Sequence, residues 1–301
     1  DSVKYHYLRT ILVSAVVMNF IWKFVAVLFI FMGDIVRIGE WAYNGIVHNG
    51  VSEPSSGKGI PRSEFLSKTA LLLGAVPTAV FSFGIISGAY DYRVRKKTII
   101  MPNLPKAFDG IRLAQLSDIH SGSFYNKTAV KGGIDSLLME KPDVIFFTGD
   151  LVNNQSSEVK NYVDIFSKVQ APLGVYSTLG NHDYGDYASW STENEKSKNL
   201  QDLIQTHRNM GWDILLDENR YLEVEGEKIG IIGVQNWGVK FAKYGNLETA
   251  AQNVEAPVKI LLSHDPTHWD AQVRPNHSDI DLTLAGHTHG FQFGLEFGDF
   301  R

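Results

Sequence analysis

"GVYSTLGNHDYG", residues 174–185, sets Asn181, His182 and Asp183 side by side at the end of an apolar run. Asn and Asp are ordinary turn residues, and Gly180 and Gly185 bracket the three. Taken alone, the stretch reads as a strand followed by a turn. The same polar side chains can also hold a metal, and the rest of the chain decides between the two readings.

Five more stretches share this form. "IRLAQLSD" (111–118), "PDVIFFTGD" (142–150), "KIGIIGVQNW" (228–237), "VKILLSHDP" (258–266) and "IDLTLAGHTHG" (280–290) each read as a strand running into a loop. Helical patterns fall at 127–140, 157–169 and 195–210. Strands that are apolar throughout and spaced by helices predict a sheet covered on both faces, an α/β layered architecture. "YLEVEG" (221–226) ahead of "KIGIIGV" reads as a hairpin, which makes the sheet mixed.

The polar residues collect where these strands end. Asp118 and His120 follow the first, Asp150 the second, Asn181 and His182 the third, His264 a later one, and His287 and His289 the last. Singly each has a bland reading. Asp-x-His is common, Gly149-Asp150 is a usual strand-end turn, and His264 before Asp265-Pro266 suits a helix start. Jointly the bland reading is poor, because independent turns seldom place eight N/O side chains at one sheet edge. Ligand sites in such sheets lie beyond the carboxyl ends of the strands.

The chain has no cysteine, which excludes disulfides, thiolate metal sites and a Cys nucleophile. Any metal is therefore held by His, Asp, Glu, Asn and water. Seven of the eight side chains can serve two divalent cations, and Asp150, the acid that stands alone, is the candidate bridge. Two cations about 3.5–4 Å apart can activate a bridging water and clamp phosphate oxygens during in-line attack. That chemistry needs no covalent intermediate, but it needs a proton for the departing oxygen.

These five blocks closely resemble the calcineurin-like metallophosphoesterase superfamily, whose signature is D-x-H, G-D, G-N-H-D/E, H and G-H-x-H in that order. Here they stand as Asp118-Ile119-His120, Gly149-Asp150, Gly180-Asn181-His182-Asp183, His264 and Gly286-His287-Thr288-His289. The resemblance covers about 98–301, and "LSDIHSG", "GNHDY" and the apolar front are similar to bacterial membrane-anchored members. It implies layered mixed β-sheets flanked by helices and preceded by transmembrane helices. It implies a first metal on Asp118, His120, Asp150 and His289, and a second on Asp150, Asn181, His264 and His287. His182 would face the substrate as general acid, with Asp183 able to orient it. The metals implied are Mn²⁺ first, with Fe, Zn or Ni as alternatives. In one departure, Phe291 follows Gly290 where this branch usually has a second Gly. Members of the branch also continue into closing strands, so 98–301 is expected to be a domain truncated at its C-terminal end.

The front of the chain differs from the rest. Residues 1–97 carry 11 Lys/Arg against 6 Asp/Glu, and residues 98–301 carry 17 against 27, giving +5 and −10. Nothing in the acidic part forms a basic nucleic-acid stripe. Residues 10–33 contain one charge, Lys23, and residues 69–90 contain none. Twenty-four helical residues span about 36 Å, enough for a bilayer core of about 30 Å. A soluble helix would need a polar face, and neither stretch has one. The expected organisation is a span with its flank over 1–50, a polar linker over 51–66, a second span with a basic flank over 67–97, and the phosphoesterase domain over 98–301. The partners expected are the lipid bilayer and a phosphate-ester substrate, a lipid-linked one included. The sequence leaves the oligomeric state open. Arg93, Arg95, Lys96, Lys97, Lys4 and Arg9 slightly outnumber the basic residues between the spans, which favours a multi-pass protein with its catalytic domain on the cytoplasmic side. The leading activity is hydrolysis of phosphodiester or pyrophosphate bonds by a metal-bridging hydroxide. The competing readings are a phosphomonoesterase or phosphoprotein phosphatase, and a non-catalytic scaffold, which would show eroded ligands.

Overall fold

The computed structural model describes residues 2–47, 62–86 and 88–289. The chain divides into two units, Asp1–Tyr92 and Arg93–Arg301. Phe291, most of the expected linker and any closing strand lie outside the described residues.

The first unit holds helix α1 (Ser2–Val47), helix α2 (Arg62–Ile86) and a 3-10 turn, Gly88–Tyr90. The two helices touch, with the Ser82 hydroxyl donating toward Met18 Sδ at 3.8 Å. Within α1, Leu12–Ile46 is long and apolar enough to cross a membrane. Phe20, Phe24, Leu28 and Phe31 are exposed along it. In water each would forgo about 1.5–3 kcal/mol of burial, whereas lipid removes that penalty. At 1.5 Å per residue α1 is roughly 69 Å long, so the expected span at 10–33 is its middle. Helix α2 begins within the stretch expected as linker and runs through Pro77. It stops at Ile86, short of the expected residue 90, where the glycines at 84 and 88 weaken helix formation.

The second unit contains two four-stranded sheets, the layered sheets that the family resemblance implies, where the strand pattern by itself read as one. In the first, β1 (Leu113–Leu116), β2 (Val144–Phe147), β3 (Val175–Ser177) and β4 (Asp213–Ile214) lie in that order, all parallel. In the second, β5 (Glu218–Val224) and β6 (Glu227–Gly233) form the expected antiparallel hairpin. Strands β7 (Lys259–Leu262) and β8 (Leu282–Leu284) then add in parallel. Mixed pairing is thus confined to the second sheet.

Alternation along the strands explains the layers. Val144 and Phe146 of β2 pack with Ile229, Ile231, Ile260 and Leu262 in a core between the sheets. Phe147 points the other way, onto Trp212 (ring centroids 5.2 Å apart) and His207 of helix α5 (Glu193–Asn209). Helix α3 (Lys127–Met139) buries Val130 and Ile134, and its first turn is capped by Asn126, which accepts from the Ala129 N–H. The short α4 (Val163–Phe166) buries Ile165 and Phe166. On the second sheet, Ile232 and Leu261 turn outward to Leu247 and Ala250 of α6 (Leu247–Ala250) and to Val273, just before α7 (Arg274–Asn276). Two sheets face to face with helices outside are the layered α/β class that the sequence predicts.

Two hydrogen-bonded ties bring the carboxyl ends of the sheets together. Gln115 Nε2 donates to Thr148 Oγ1 (2.9 Å) and to the Ala285 carbonyl (2.8 Å), joining β1 and β2 to the end of β8. Thr178 Oγ1 donates to the Val234 carbonyl (2.5 Å), joining the end of β3 to that of β6.

His207 gives the fold a pH dependence. Its ring is fully buried, with Nδ1 3.0 Å from Ser177 Oγ on β3. Burial depresses its pKa to about 3, against about 6.5 in an unfolded chain. Between those values the unfolded chain takes a proton that the folded chain refuses, so stability is full above pH 6.5 and falls as the pH drops. The slope is about 1.4 kcal/mol per unit, or about 2 kcal/mol from pH 6.5 to pH 5. Denaturant unfolding at the two pH values should show that loss in the native chain and a smaller loss in His207→Gln. Equal losses would remove His207 from the account.

Candidate metal centre

Five loops at the joined sheet ends carry the polar residues singled out from sequence. Their backbone is unusual. Asp118 (φ 53°), His120 (φ 46°), Asp150 (φ 61°), His287 (φ 70°) and His289 (φ 50°) all sit in the left-handed region. Asp and His are among the few side chains that tolerate it. The loops hold one another in place. Asp118 N–H donates to the Gly149 carbonyl, His120 N–H to that of Asp150, and Gly286 N–H to that of His264. Two glycines make room for carboxylates, since a Cβ at Gly180 would collide with Asp150, and one at Gly286 with Ser117 and Asp118.

The side chains converge in two groups. Asp118, His120, Asp150 and His289 bring ligand atoms within 4.8 Å of one another, and so do Asp150, His264 and His287. In the first group His120 Nε2 lies 3.2 Å from His289 Nε2 and 3.5 Å from Asp150 Oδ2, with His289 Nε2 3.4 Å from Asp118 Oδ1. In the second, His264 Nε2 is 3.0 Å from Asp150 Oδ2, and Asn181 Oδ1 is 2.9 Å from His287 Nδ1. Asp150 belongs to both.

Hydrogen-bond accounting tests whether a cation fits. His264 Nδ1 faces the Thr148 carbonyl at 2.7 Å, and His120 Nδ1 faces Asn153 Oδ1 at 3.1 Å. A carbonyl oxygen only accepts, so each Nδ1 carries the hydrogen and each neutral ring turns its Nε2 lone pair inward. His264 Nε2 and Asp150 Oδ2 are both buried without a hydrogen-bond partner. With the ring neutral, an acceptor faces an acceptor at 3.0 Å, an arrangement that either a proton or a shared cation satisfies. The donor set of carboxylates, imidazoles and one amide suits divalent ions of hard to borderline character.

The charges are tuned accordingly. Burial pushes Asp150 up, but the His264 ring, the His182 N–H and His120 outweigh it and hold the carboxyl below its ordinary range. Burial pushes His264 down, but the facing Asp150 carboxylate raises it to about 9, so without a cation a proton on Nε2 takes the place that a cation would hold. Burial lowers His120 and His287, and it outweighs the nearby carboxylates of Asp150 and Asp118, which pull the other way.

His182 and Asp183 occupy different places. His182 is half-buried beside His120, ring centroids 4.8 Å apart. Its N–H donates to Asp150 Oδ1 (2.9 Å), and its ring Nδ1 meets the Asn153 carbonyl at 2.8 Å. Asp183, expected from the resemblance to orient His182, instead spends its carboxylate on the backbone. Oδ2 accepts from Asp150 and Gly180, both at 2.9 Å, and Oδ1 from Leu151 (2.9 Å) and Val152 (3.3 Å). Burial, and then the charge of Asp150, push Asp183 up to about 7 against the pull of those donors. Asn153, which sequence reasoning missed, contacts both the His182 and the His120 ring. Its carbonyl serves His182 and its side chain serves His120, and its signal was only its place three residues after Asp150.

With this geometry in view, the comparisons give the class. The family model for the calcineurin-like phosphoesterases matches residues 111–291, and the chain belongs to that family. It is a metal-dependent phosphoester hydrolase by class. A second model, described as probable calcineurin-like phosphoesterase, transmembrane domain, matches residues 1–89, and with α1 it makes the chain a membrane protein. The uncharacterized metallophosphoesterase YkuE of Bacillus subtilis is 28% identical over 252 residues, 80% of each chain. The transmembrane protein with metallophosphoesterase domain of Danio rerio is 28% identical over 73% of this chain, which spans only 50% of that relative's length. The UDP-2,3-diacylglucosamine pyrophosphatase LpxG of Chlamydia trachomatis is 29% identical over 66% of this chain and 70% of its own.

Because Asp150 serves both groups, Asp150→Asn should damage metal uptake more than a change at any other candidate ligand. Elemental analysis after loading with Mn²⁺ and gel filtration should find fewer than one ion per chain. Retention of two ions with full turnover would refute the shared carboxylate.

Proposed function

We propose that the chain hydrolyses phosphodiester or pyrophosphate bonds at two divalent cations, with Mn²⁺ the preferred ion. Asp118, His120, Asp150 and His289 would hold one cation, and Asp150, Asn181, His264 and His287 the other. The observation that carries this reading is the shared Asp150, whose Oδ2 faces His120 on one side and His264 on the other. Two such ions, when bound, polarise phosphate oxygens and lower the pKa of a water.

The protein's own residues supply the rest. Asn153 holds the Nδ1 hydrogen of His182. That leaves Nε2 as the atom that delivers a proton to the departing oxygen. Imidazole suits the task, since its ordinary pKa of about 6.5 lies near neutrality. The Asp150–His182 backbone bond fixes this ring relative to the shared carboxylate. Asp183 contributes as the anchor of both loops.

For the substrate we favour a pyrophosphate or diester linked to a lipid. The similarity to LpxG of Chlamydia trachomatis supports the bond type, and an apolar front that lives in a bilayer supports the lipid. We further propose a multi-pass arrangement with the catalytic unit on the cytoplasmic side, on the basic residues that flank the apolar stretches.

The leaving group provides the test. General acids of this kind contribute about 10²–10⁴-fold to rate. Their contribution grows with the basicity of the departing oxygen. His182→Ala should keep its metals, lose little on bis(p-nitrophenyl) phosphate and lose far more on an alkyl diester. Equal losses on the two substrates would assign His182 to substrate positioning, and loss of bound metal would make it a ligand.

A further inference from the structure

We propose that Tyr187 is a positioning residue that fixes the side-chain amide of Asn181, and thereby sets the affinity of the second cation position. The inference rests on the two-cation reading and goes beyond it, since neither the motif blocks nor the two side-chain groups include Tyr187.

An Asn side chain has two unlike ends. Its carbonyl oxygen ligates a hard cation, and its NH₂ carries hydrogens and does not. The Asn181 side chain lies with Oδ1 2.9 Å from His287 Nδ1. Two ligand atoms about 2.1 Å from one ion, at a right angle, stand about 3 Å apart. The pair is therefore spaced as two ligands of one cation, with the oxygen as the ligating end. The opposite end, Nδ2, donates to the Tyr187 hydroxyl at 2.9 Å. The phenol thus receives the end of the amide that must face away from the metal.

Tyr187 is held well enough to do this. Its loop begins with Gly185 in the left-handed region (φ 70°), and a side chain at that position would collide with Trp190. Trp190 Nε1 donates to the Gly185 carbonyl (2.7 Å), and the Ala188 N–H donates to the same residue. The Tyr187 ring also lies against His182, centroids 4.7 Å apart and planes 43° from parallel. It therefore touches both site residues of the Asn181-His182 pair, one with its hydroxyl and one with its face. Yet Tyr187 is 52% exposed, so it fills no core position and its replacement leaves the packing of the two sheets intact.

Phe and Ala separate the two contacts. Tyr187→Phe keeps the ring and removes the acceptor for Nδ2. Partners that orient metal ligands typically contribute 10–100-fold to metal affinity. In detergent-solubilised full-length protein titrated with Mn²⁺, the native chain should take up two equivalents. Tyr187→Phe should need about tenfold more Mn²⁺ for the second and no more for the first. The electron paramagnetic resonance signal of a coupled manganese pair should move to correspondingly higher Mn²⁺. At saturating Mn²⁺ its kcat should return to the native value. Tyr187→Ala should match Tyr187→Phe in metal uptake and also lower kcat at saturation, through the lost support of His182. Coincident native and Tyr187→Phe isotherms would overturn the proposal. So would equal weakening of both equivalents, or a defect confined to Tyr187→Ala. A native chain that takes up a single ion would overturn the two-cation reading itself, and this proposal with it.

Discussion

The carboxylate of Asp183 is the point on which the site depends. It is completely buried and accepts four backbone N–H groups, three from the loop after β2 and one from the loop after β3. Those two loops carry Asp150, Asn181 and His182. Without the carboxylate four buried donors would lose their acceptor, at about 1–3 kcal/mol each. The ends of β2 and β3 are already in register, with Phe147 beside Ser177. Asp183 carries that register beyond the strands, where no ladder continues it. The hydrogen bond from His182 N–H to Asp150 Oδ1 then closes the same pair of loops from the other side.

The left-handed backbone at the candidate ligands follows from the same need. A strand delivers side chains alternately to its two faces, and neither face points at a site beyond the strand end. A residue with positive φ turns the chain sharply, so Asp118 and His120, or His287 and His289, can converge from a short loop. The conformation costs roughly 1–2 kcal/mol per residue. Five of the nine non-glycine residues with positive φ among the described residues are candidate ligands. Such concentration is expected where surrounding hydrogen bonds over-determine the backbone. The bonds from Asp118, His120 and Gly286 to the carbonyls of neighbouring loops do so here.

Much of this was legible in the sequence because apolar runs and polar ends repeat six times. The hairpin was legible from "YLEVEG", and Glu225 and Gly226 indeed take positive φ at its turn. The division into sheets came only with the family resemblance, since nothing local in a buried strand says which neighbour it will pair with. Strand β4 is two residues long and leaves no pattern to read. The stretch 157–169 reads as one helix, but Ser156–Tyr162 is wound as 3-10 before α4 begins. Asp183 next to His182 resembles an acid–base pair on paper. The three-dimensional answer turns on backbone donors 31 to 33 residues earlier, which no local spacing reveals. Asn153 was illegible for a similar reason, because half of its role belongs to its main-chain carbonyl.

Three aspartates in these loops show how hydrogen-bond accounting separates roles that residue type cannot. Both oxygens of Asp183 are filled by backbone N–H groups, so no lone pair in good geometry is left for a cation. Asp118 accepts from the His287 N–H with both oxygens, yet keeps Oδ1 3.4 Å from His289 Nε2 and 4.0 Å from His264 Nε2. It is anchored and still available on one side. Asp150 gives Oδ1 to His182 and leaves Oδ2 without a hydrogen-bond donor, buried between two inward-turned imidazoles. A buried carboxylate oxygen in that position carries a desolvation cost of several kcal/mol unless positive charge reaches it. The fold therefore leaves one atom in need of positive charge, which a proton on His264 or a bound cation can supply, with His120 on its other side.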